Sequence, residues 1–233
     1  MLLGVDGCRA GWLAIAAAAE GPDVNVQLHE DAAALVASKG WQLMAIDIPI
    51  GLPEQGSRAC DQEARRLLGA RRSSVFPAPI RAVLAAGSHE EACKISRQLQ
   101  GKGISCQSFN ILAKIRSIDE LLQIDKALAQ RIQEVHPELI FQQWNGGRPM
   151  EHGKKTAQGQ QERLQLVETE FPGAWALIRS LYRRSAVADD DILDALAALH
   201  TARRLQRGEA LQLPAQEGAL AFDACGLPMQ IAA

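Results

Sequence analysis

Two short apolar runs in the first fifty residues, 2–5 and 43–48, carry an aspartate at or near their ends, Asp6 and Asp47. A carboxylate in that position is costly unless it reaches solvent or a partner. Gly7 to Gly11 punctuate the chain after Asp6, and the apolar run resumes over 12–18, which reads as a hairpin. Val24, Val26 and Leu28 alternate with Asn25, Gln27 and His29, the pattern of a third strand with one solvated face. Asp31 is placed to cap a short Ala-rich helix running to about Ser38, and 43–48 is then a fourth strand, apolar on both sides as a buried parallel strand is. A three-strand meander followed by a helical crossover allows the first and fourth strands to be neighbours, with Asp6 and Asp47 at one end of the sheet. Two half-buried anions side by side repel, and a cation between them resolves the conflict.

Beyond residue 53 the pattern turns to helices and loops. Residues 58–69 form an amphipathic helix closed by Gly69, and the Pro-containing stretch 71–79 reads as a loop. Ser88 with Glu91 and Ser117 with Glu120 have the spacing of capping boxes that start two further helices. A fifth strand is expected over 133–141, a polar loop over 145–156, helices over 160–170 and 174–182, and a long final helix opened by Asp189 and stopped by Gly208. The expected architecture is α/β, a mixed five-stranded sheet flanked by helices, in one domain over 1–233 with a helical, basic insertion at 54–131 between the fourth and fifth strands.

The start of the last helix adds two more carboxylates. Asp189, Asp190 and Asp191 suit any helix N-terminus. Asp194 is three residues after Asp191, hence on the same face, and the small residues Ala195, Ala197 and Ala198 let that helix lie close to a sheet. Asp191 and Asp194 brought to the ends of the first and fourth strands would make a site of four carboxylates. Oxygen-only sites of this kind suit Mg²⁺ or Mn²⁺, and a pair of such ions meets the physical requirement of phosphodiester hydrolysis.

The charge distribution is uneven. Between Arg58 and Arg184 there are 20 Lys and Arg against 13 Asp and Glu, whereas the whole chain has a formal net charge of −2. A basic middle between acidic ends suits a surface that grips an anion. Arg71, Arg72, Lys154 and Lys155 fall in this region and are candidates for contact with substrate phosphates, as Arg81, Lys102 and Lys114 are more loosely. The sequence at 153–156 lacks the frame of a Walker loop, which excludes that mode of nucleotide binding. Aromatic residues are only 4% and dispersed, so a nucleic acid would be held through its backbone rather than by stacking. Glu134 and His136, two apart on the expected fifth strand, would share a face with Glu138, Glu134 as a further metal ligand and His136 as a proton shuttle; a half-exposed strand edge explains them equally well. Five dispersed cysteines with no C-x-x-C pair point to a reducing, cytoplasmic setting, and no apolar stretch is long enough for a membrane span. A homo-oligomer is compatible with the sequence, which carries no signal for it.

The pieces G-V-D-G at residues 4–7, D-I-P-I-G at 47–51 and D-x-x-D-A-L-A at 191–197, in that order after a three-stranded start, resemble the RNase H-like superfamily, and the last is similar to the C-terminal helix of RuvC-type resolvases. The whole chain, with R-R-S-S-V-F-P-A-P at 71–79, the stretch 101–115, E-V-H-P-E at 134–138, N-G-G-R-P-M at 145–150 and K-K-T at 154–156, resembles a bacterial family catalogued as a domain of unknown function, number 429 in its series, whose members are expected to be RNase H-like nucleases. The resemblance implies that Asp6 bridges two metals, Asp47 holds one, and Asp194 with Asp191 completes the site. Asp47 stands where RuvC-type resolvases have a glutamate, so its strand would have to lie closer to the metals. The expectation is a Mg²⁺- or Mn²⁺-dependent nuclease acting on DNA or RNA. Its rivals are a phosphotransferase or nucleotide-binding protein on an actin-like scaffold, and a non-catalytic nucleic-acid-binding module.

Overall fold

Leu3 and Val5 point to one side of the first strand, and Leu2, Gly4 and Asp6 to the other. That alternation organises the structure, a computed structural model that describes residues 1–216 and 218–233. The strands β1 (Leu2–Cys8), β2 (Gly11–Ala17) and β3 (Val24–His29) form an antiparallel meander. Helix α1 (Ala32–Ala37), capped by the Asp31 carboxylate accepting from the Ala34 N–H at 2.7 Å, crosses to β4 (Leu43–Ile46), which pairs parallel with β1. The chain continues through α2 (Ala59–Leu68), α3 (His89–Gln100), α4 (Cys106–Asn110) and α5 (Leu112–Ile124) to β5 (Ile132–Glu134), parallel to β4. Then follow α6 (Pro137–Trp144), α7 (Ala157–Glu170), α8 (Ala174–Leu181), α9 (Asp189–Arg207) and a small ribbon of β6 (Gln212–Leu213) with β7 (Ile231–Ala232). The sheet order β3-β2-β1-β4-β5 is the expected mixed five-stranded sheet flanked by helices, consistent with an RNase H-like fold.

Each face of the sheet has its own core. Leu3, Val5, Met44 and Ile46 pack with Leu35 of α1 and with Ile115, Ile118 and Leu122 of α5. Leu2, Leu13, Ile15 and Ala45 pack on the opposite face with α9 and with Leu139, Ile140 and Phe141 of α6. A strand buried on both faces must be apolar at every position, which is why β1 and β4 read as continuous apolar runs. The β1–α9 contact is unusually close: a methyl on Gly4 would lie 2.1 Å from the Leu199 nitrogen and 2.3 Å from the Ala195 carbonyl oxygen. Gly4 and the alanines of α9 thus set the distance between helix and sheet.

Several local expectations differ from the structure. Strand β1 runs past Asp6 to Cys8, because the hairpin pairs as far as Cys8 opposite Gly11. The fifth strand ends at Glu134 instead of reaching 141: Pro137, whose missing N–H costs nothing in a first helical turn, opens α6. His136 therefore precedes a helix and Glu138 sits in its first turn, so neither shares a strand face with Glu134. Ser117 lies inside α5, its hydroxyl donating to the Lys114 carbonyl at 2.9 Å, and caps no helix. Residues 69–74 form a 3₁₀ turn, not open loop. No helix among the described residues is long and apolar enough to cross a membrane.

Candidate carboxylate site

Period-2 alternation carries Asp6 to the face of β1 that meets α9, and the parallel register of Val5 opposite Ile46 brings Asp47 alongside it. The Asp47 N–H donates to the Val5 carbonyl at 3.1 Å, extending the ladder by one bond past β4. Asp191 and Asp194 come from the first turns of α9. The Asp191 carboxylate accepts the Ala188 N–H at 2.7 Å and caps the helix, while Asp194, one turn on, is buried. Asp6, Asp47, Asp191 and Asp194 line one cleft of about 610 Å³, together with Lys114, His136, Lys154 and Lys155.

The electrostatics follow from this crowding. Burial, and then the charges of Asp194, Asp47 and Asp191, hold the Asp6 carboxyl well above the usual range. Burial and Asp194 push Asp47 up to about 7. Asp191 is raised by burial in the first place, with Asp190 and Asp194 adding to it. The opposing charge is Lys154, whose ammonium lies 2.7 Å from Asp194 Oδ2 and 3.8 Å from Asp190 Oδ2. Asp194, followed by Asp6 and Asp47, raises the Lys154 pKa. Among the described residues no salt bridge reaches Asp6, Asp47 or Asp191; Lys114, in the same cleft, feels the charges of Asp6 and Asp191 without pairing with either. Asp6, Asp47, Asp191 and Asp194 are hard oxygen donors of the type a divalent cation such as Mg²⁺ or Mn²⁺ takes and would be its ligands here, although no three of these carboxylates gather within 4.8 Å of one another.

Glu134 lines the same cleft but is held by partners of its own. Its Oε2 accepts from the Ile50 N–H and from Arg58 Nη1, both at 2.6 Å, and its Oε1 accepts from Arg58 Nη2 at 2.6 Å. Arg58 also binds Asp61, with both side chains buried, and Asp61 in turn accepts the Ala78 N–H. This network pins the chain leaving β4 next to the end of β5, and so supports Asp47 from behind. Arg58 and Asp61 carry no signal of this network in the sequence, because Arg58 and Glu134 are 76 residues apart.

The basic candidates separate in the same way. Arg71 pairs with Glu138 at 2.9 Å, and Lys154 with Asp194, so the structure engages both internally. Lys155 is exposed on the cleft rim, and Arg72 is exposed. The Lys114 ammonium donates to the Gly11 carbonyl at 2.6 Å and lies 4.4 Å from the centroid of the Trp12 ring. His136 has a pKa lowered by burial and then by Lys154, and its Nε2 lies 3.2 Å from the Ser74 carbonyl. Among the described residues the group of potential ligands whose donor atoms all lie within 4.8 Å of one another is Glu151, His152 and Glu162, outside the lining of the aspartate cleft, with His152 Nδ1 2.5 Å from Glu162 Oε1.

A family described as "Protein of unknown function (DUF429)" matches residues 4–219, and the chain belongs to that family. No curated protein and no solved structure matches it.

Proposed function

We propose that this chain, as a member of the DUF429 family, is a divalent-metal-dependent nuclease that hydrolyses phosphodiester bonds at the Asp6, Asp47, Asp191 and Asp194 cluster. The observation that carries the reading is the convergence of four carboxylates from β1, the exit of β4 and α9 on one cleft, where Lys154 is salt-bridged to Asp194. Bound there, two Mg²⁺ or Mn²⁺ ions would activate an oxygen nucleophile and stabilise the leaving oxygen, the two demands of phosphodiester hydrolysis.

The chain's own residues then have distinct tasks. Asp6, whose carboxyl is raised by burial and then by all three other aspartates, would be one of the residues that hold the metal. Asp47 and the pair Asp191 and Asp194 complete the donor set from either side. The Arg58–Glu134 network keeps the β4 exit in place, so Glu134 acts as a positioning residue in this reading and not as a ligand. Exposed Lys155 and Arg72 attract the phosphate backbone of DNA or RNA without reading bases. A cytoplasmic setting agrees with five free cysteines.

The test is cleavage of single-stranded, duplex, hybrid and four-way-junction substrates with Mn²⁺ or Mg²⁺. Activity that chelator abolishes, and that Asp6→Asn loses while staying folded, is the expected result. Cleavage unchanged in Asp6→Asn, or none on any substrate by folded protein, overturns the assignment.

A further inference from the structure

We propose that Lys154 is a built-in counter-ion for the carboxylate cluster, its ammonium standing where a divalent cation binds and swinging out when that cation arrives. The inference rests on the metal-dependent reading above and extends it to what pairs with the carboxylates before the metal binds.

The geometry has two parts, a fixed backbone and a free side chain. The backbone around Lys154 is pinned. The Gly153 carbonyl accepts the Thr156 N–H and the Thr156 hydroxyl, each at 2.9 Å. Arg163, buried and bound to Glu138, reaches the His152 carbonyl at 3.2 Å, and the His152 N–H donates to Glu162 at 3.1 Å. Gly159 of α7 approaches so closely that a methyl on it would lie 2.1 Å from the Gly153 oxygen. The loop is therefore delivered to the cleft at a set height. The Lys154 side chain, by contrast, is 42% exposed and ends at Asp194, with Asp190 as its second contact. A four-carbon stem with an exposed flank leaves by rotation about its own bonds, with no movement of the loop.

Charge decides the exchange. The Lys154 ammonium is salt-bridged to Asp194 and near Asp190, whereas Lys114 acts on Asp6 and Asp191 without a salt bridge, so Lys154 is the cation paired with the group. A tethered monovalent cation is a competitor present at fixed, high effective concentration. A divalent ion satisfies more of the carboxylate oxygens and displaces it once its free concentration is sufficient. Lys154 and the metal then exclude each other, so the lysine sets the metal concentration at which the site fills.

The experiment measures Mn²⁺ binding to the full chain at pH 8, by calorimetry or by the electron paramagnetic resonance of free Mn²⁺. It compares the wild type with Lys154→Met, Lys154→Gln and the charge-conserving Lys154→Arg. The neutral variants, checked for folding by circular dichroism, are expected to bind Mn²⁺ at least about tenfold more tightly than wild type, and Lys154→Arg within about threefold of it. Acetylation of Lys154 in the wild type, read by mass spectrometry, is expected to rise when Mn²⁺ is added. Neutral variants that bind Mn²⁺ no more tightly than a wild type that does bind it overturn this proposal and leave the metal-dependent reading standing. Acetylation unchanged by saturating Mn²⁺ does the same. Absence of Mn²⁺ binding in every form overturns both.

Discussion

The carbonyl oxygen of Ala195 would stand 2.3 Å from a methyl group on Gly4, so strand β1 and helix α9 meet backbone to backbone. This contact is what brings Asp194, the residue before Ala195, to the face that carries Asp6. The site is thus a consequence of small residues on both elements as much as of the aspartates themselves. Gly4→Ala has no flexible side chain to push aside, because both close atoms are backbone. The expected cost is on the order of 3 kcal/mol in urea unfolding, at the upper end for overpacking. Mn²⁺ binding should weaken alongside, and a variant as stable as wild type would contradict the close contact.

Arg58 is the cation of a buried network with Glu134 and Asp61. Removing it strands two carboxylates away from water, so Arg58→Met should destabilise the fold by about 3–5 kcal/mol in chemical denaturation. Glu134→Gln can still accept from Ile50 and from Arg58, and should cost less. Because Glu134 braces the β4 exit and binds no metal in this account, Glu134→Gln should keep its Mn²⁺ affinity within about threefold of wild type. A loss beyond that would return Glu134 to the ligand set.

Much of this arrangement was legible in the sequence, for identifiable reasons. The strands β1 to β4 announced themselves through continuous or alternating apolar patterns, and the last helix through Asp189 at its start and Gly208 at its stop. Asp6, Asp47, Asp191 and Asp194 stood out because charge at a strand end, or one turn inside a helix rich in small residues, needs a reason. The fifth strand ends before 141 because the apolar residues Leu139, Ile140 and Phe141 fit a helix as well as a strand, and Pro137 opens α6. The partners of Glu134 and Lys154 were hidden, since contacts over 76 and 40 residues leave no periodic trace. Lys154 looked like a phosphate contact from its basic, glycine-flanked surroundings, and only the fold shows it turned into the aspartates.

Crowded carboxylates give the metal-free protein a characteristic response to pH. Asp47 rises from an ordinary 3.8 to about 7, through burial and then Asp194. Below about pH 4 the group is protonated whether the chain is folded or not. Between there and about 7 the unfolded chain has released this proton while the folded one retains it, so rising pH favours unfolding. The stability in question is complete below the unfolded pKa and lost as pH passes through the folded one, with a slope of up to about 1.4 kcal/mol per pH unit for one group. Urea midpoints in chelator should fall from pH 5 to pH 8, less steeply in Asp47→Asn, and saturating Mn²⁺ should raise them most at the upper end. A stability independent of pH over this range would count against the burial of these aspartates.

Arg72 and Lys155, exposed and free to meet phosphate in this account, should govern affinity for nucleic acid without sequence preference. The double replacement Arg72→Ala with Lys155→Ala should weaken binding of unrelated sequences equally, and should reduce the slope of log affinity against log salt by about 2. Binding measured in Ca²⁺ across a salt series checks this. An unchanged slope would mean that the backbone contacts lie elsewhere.

The most direct measurement is anomalous diffraction from crystals soaked in Mn²⁺, recorded at the manganese absorption edge. Anomalous density is expected among Asp6, Asp47, Asp191 and Asp194, with the Lys154 side chain withdrawn from Asp194. Density confined to Glu151, His152 and Glu162, with Lys154 still bound to Asp194, would contradict it.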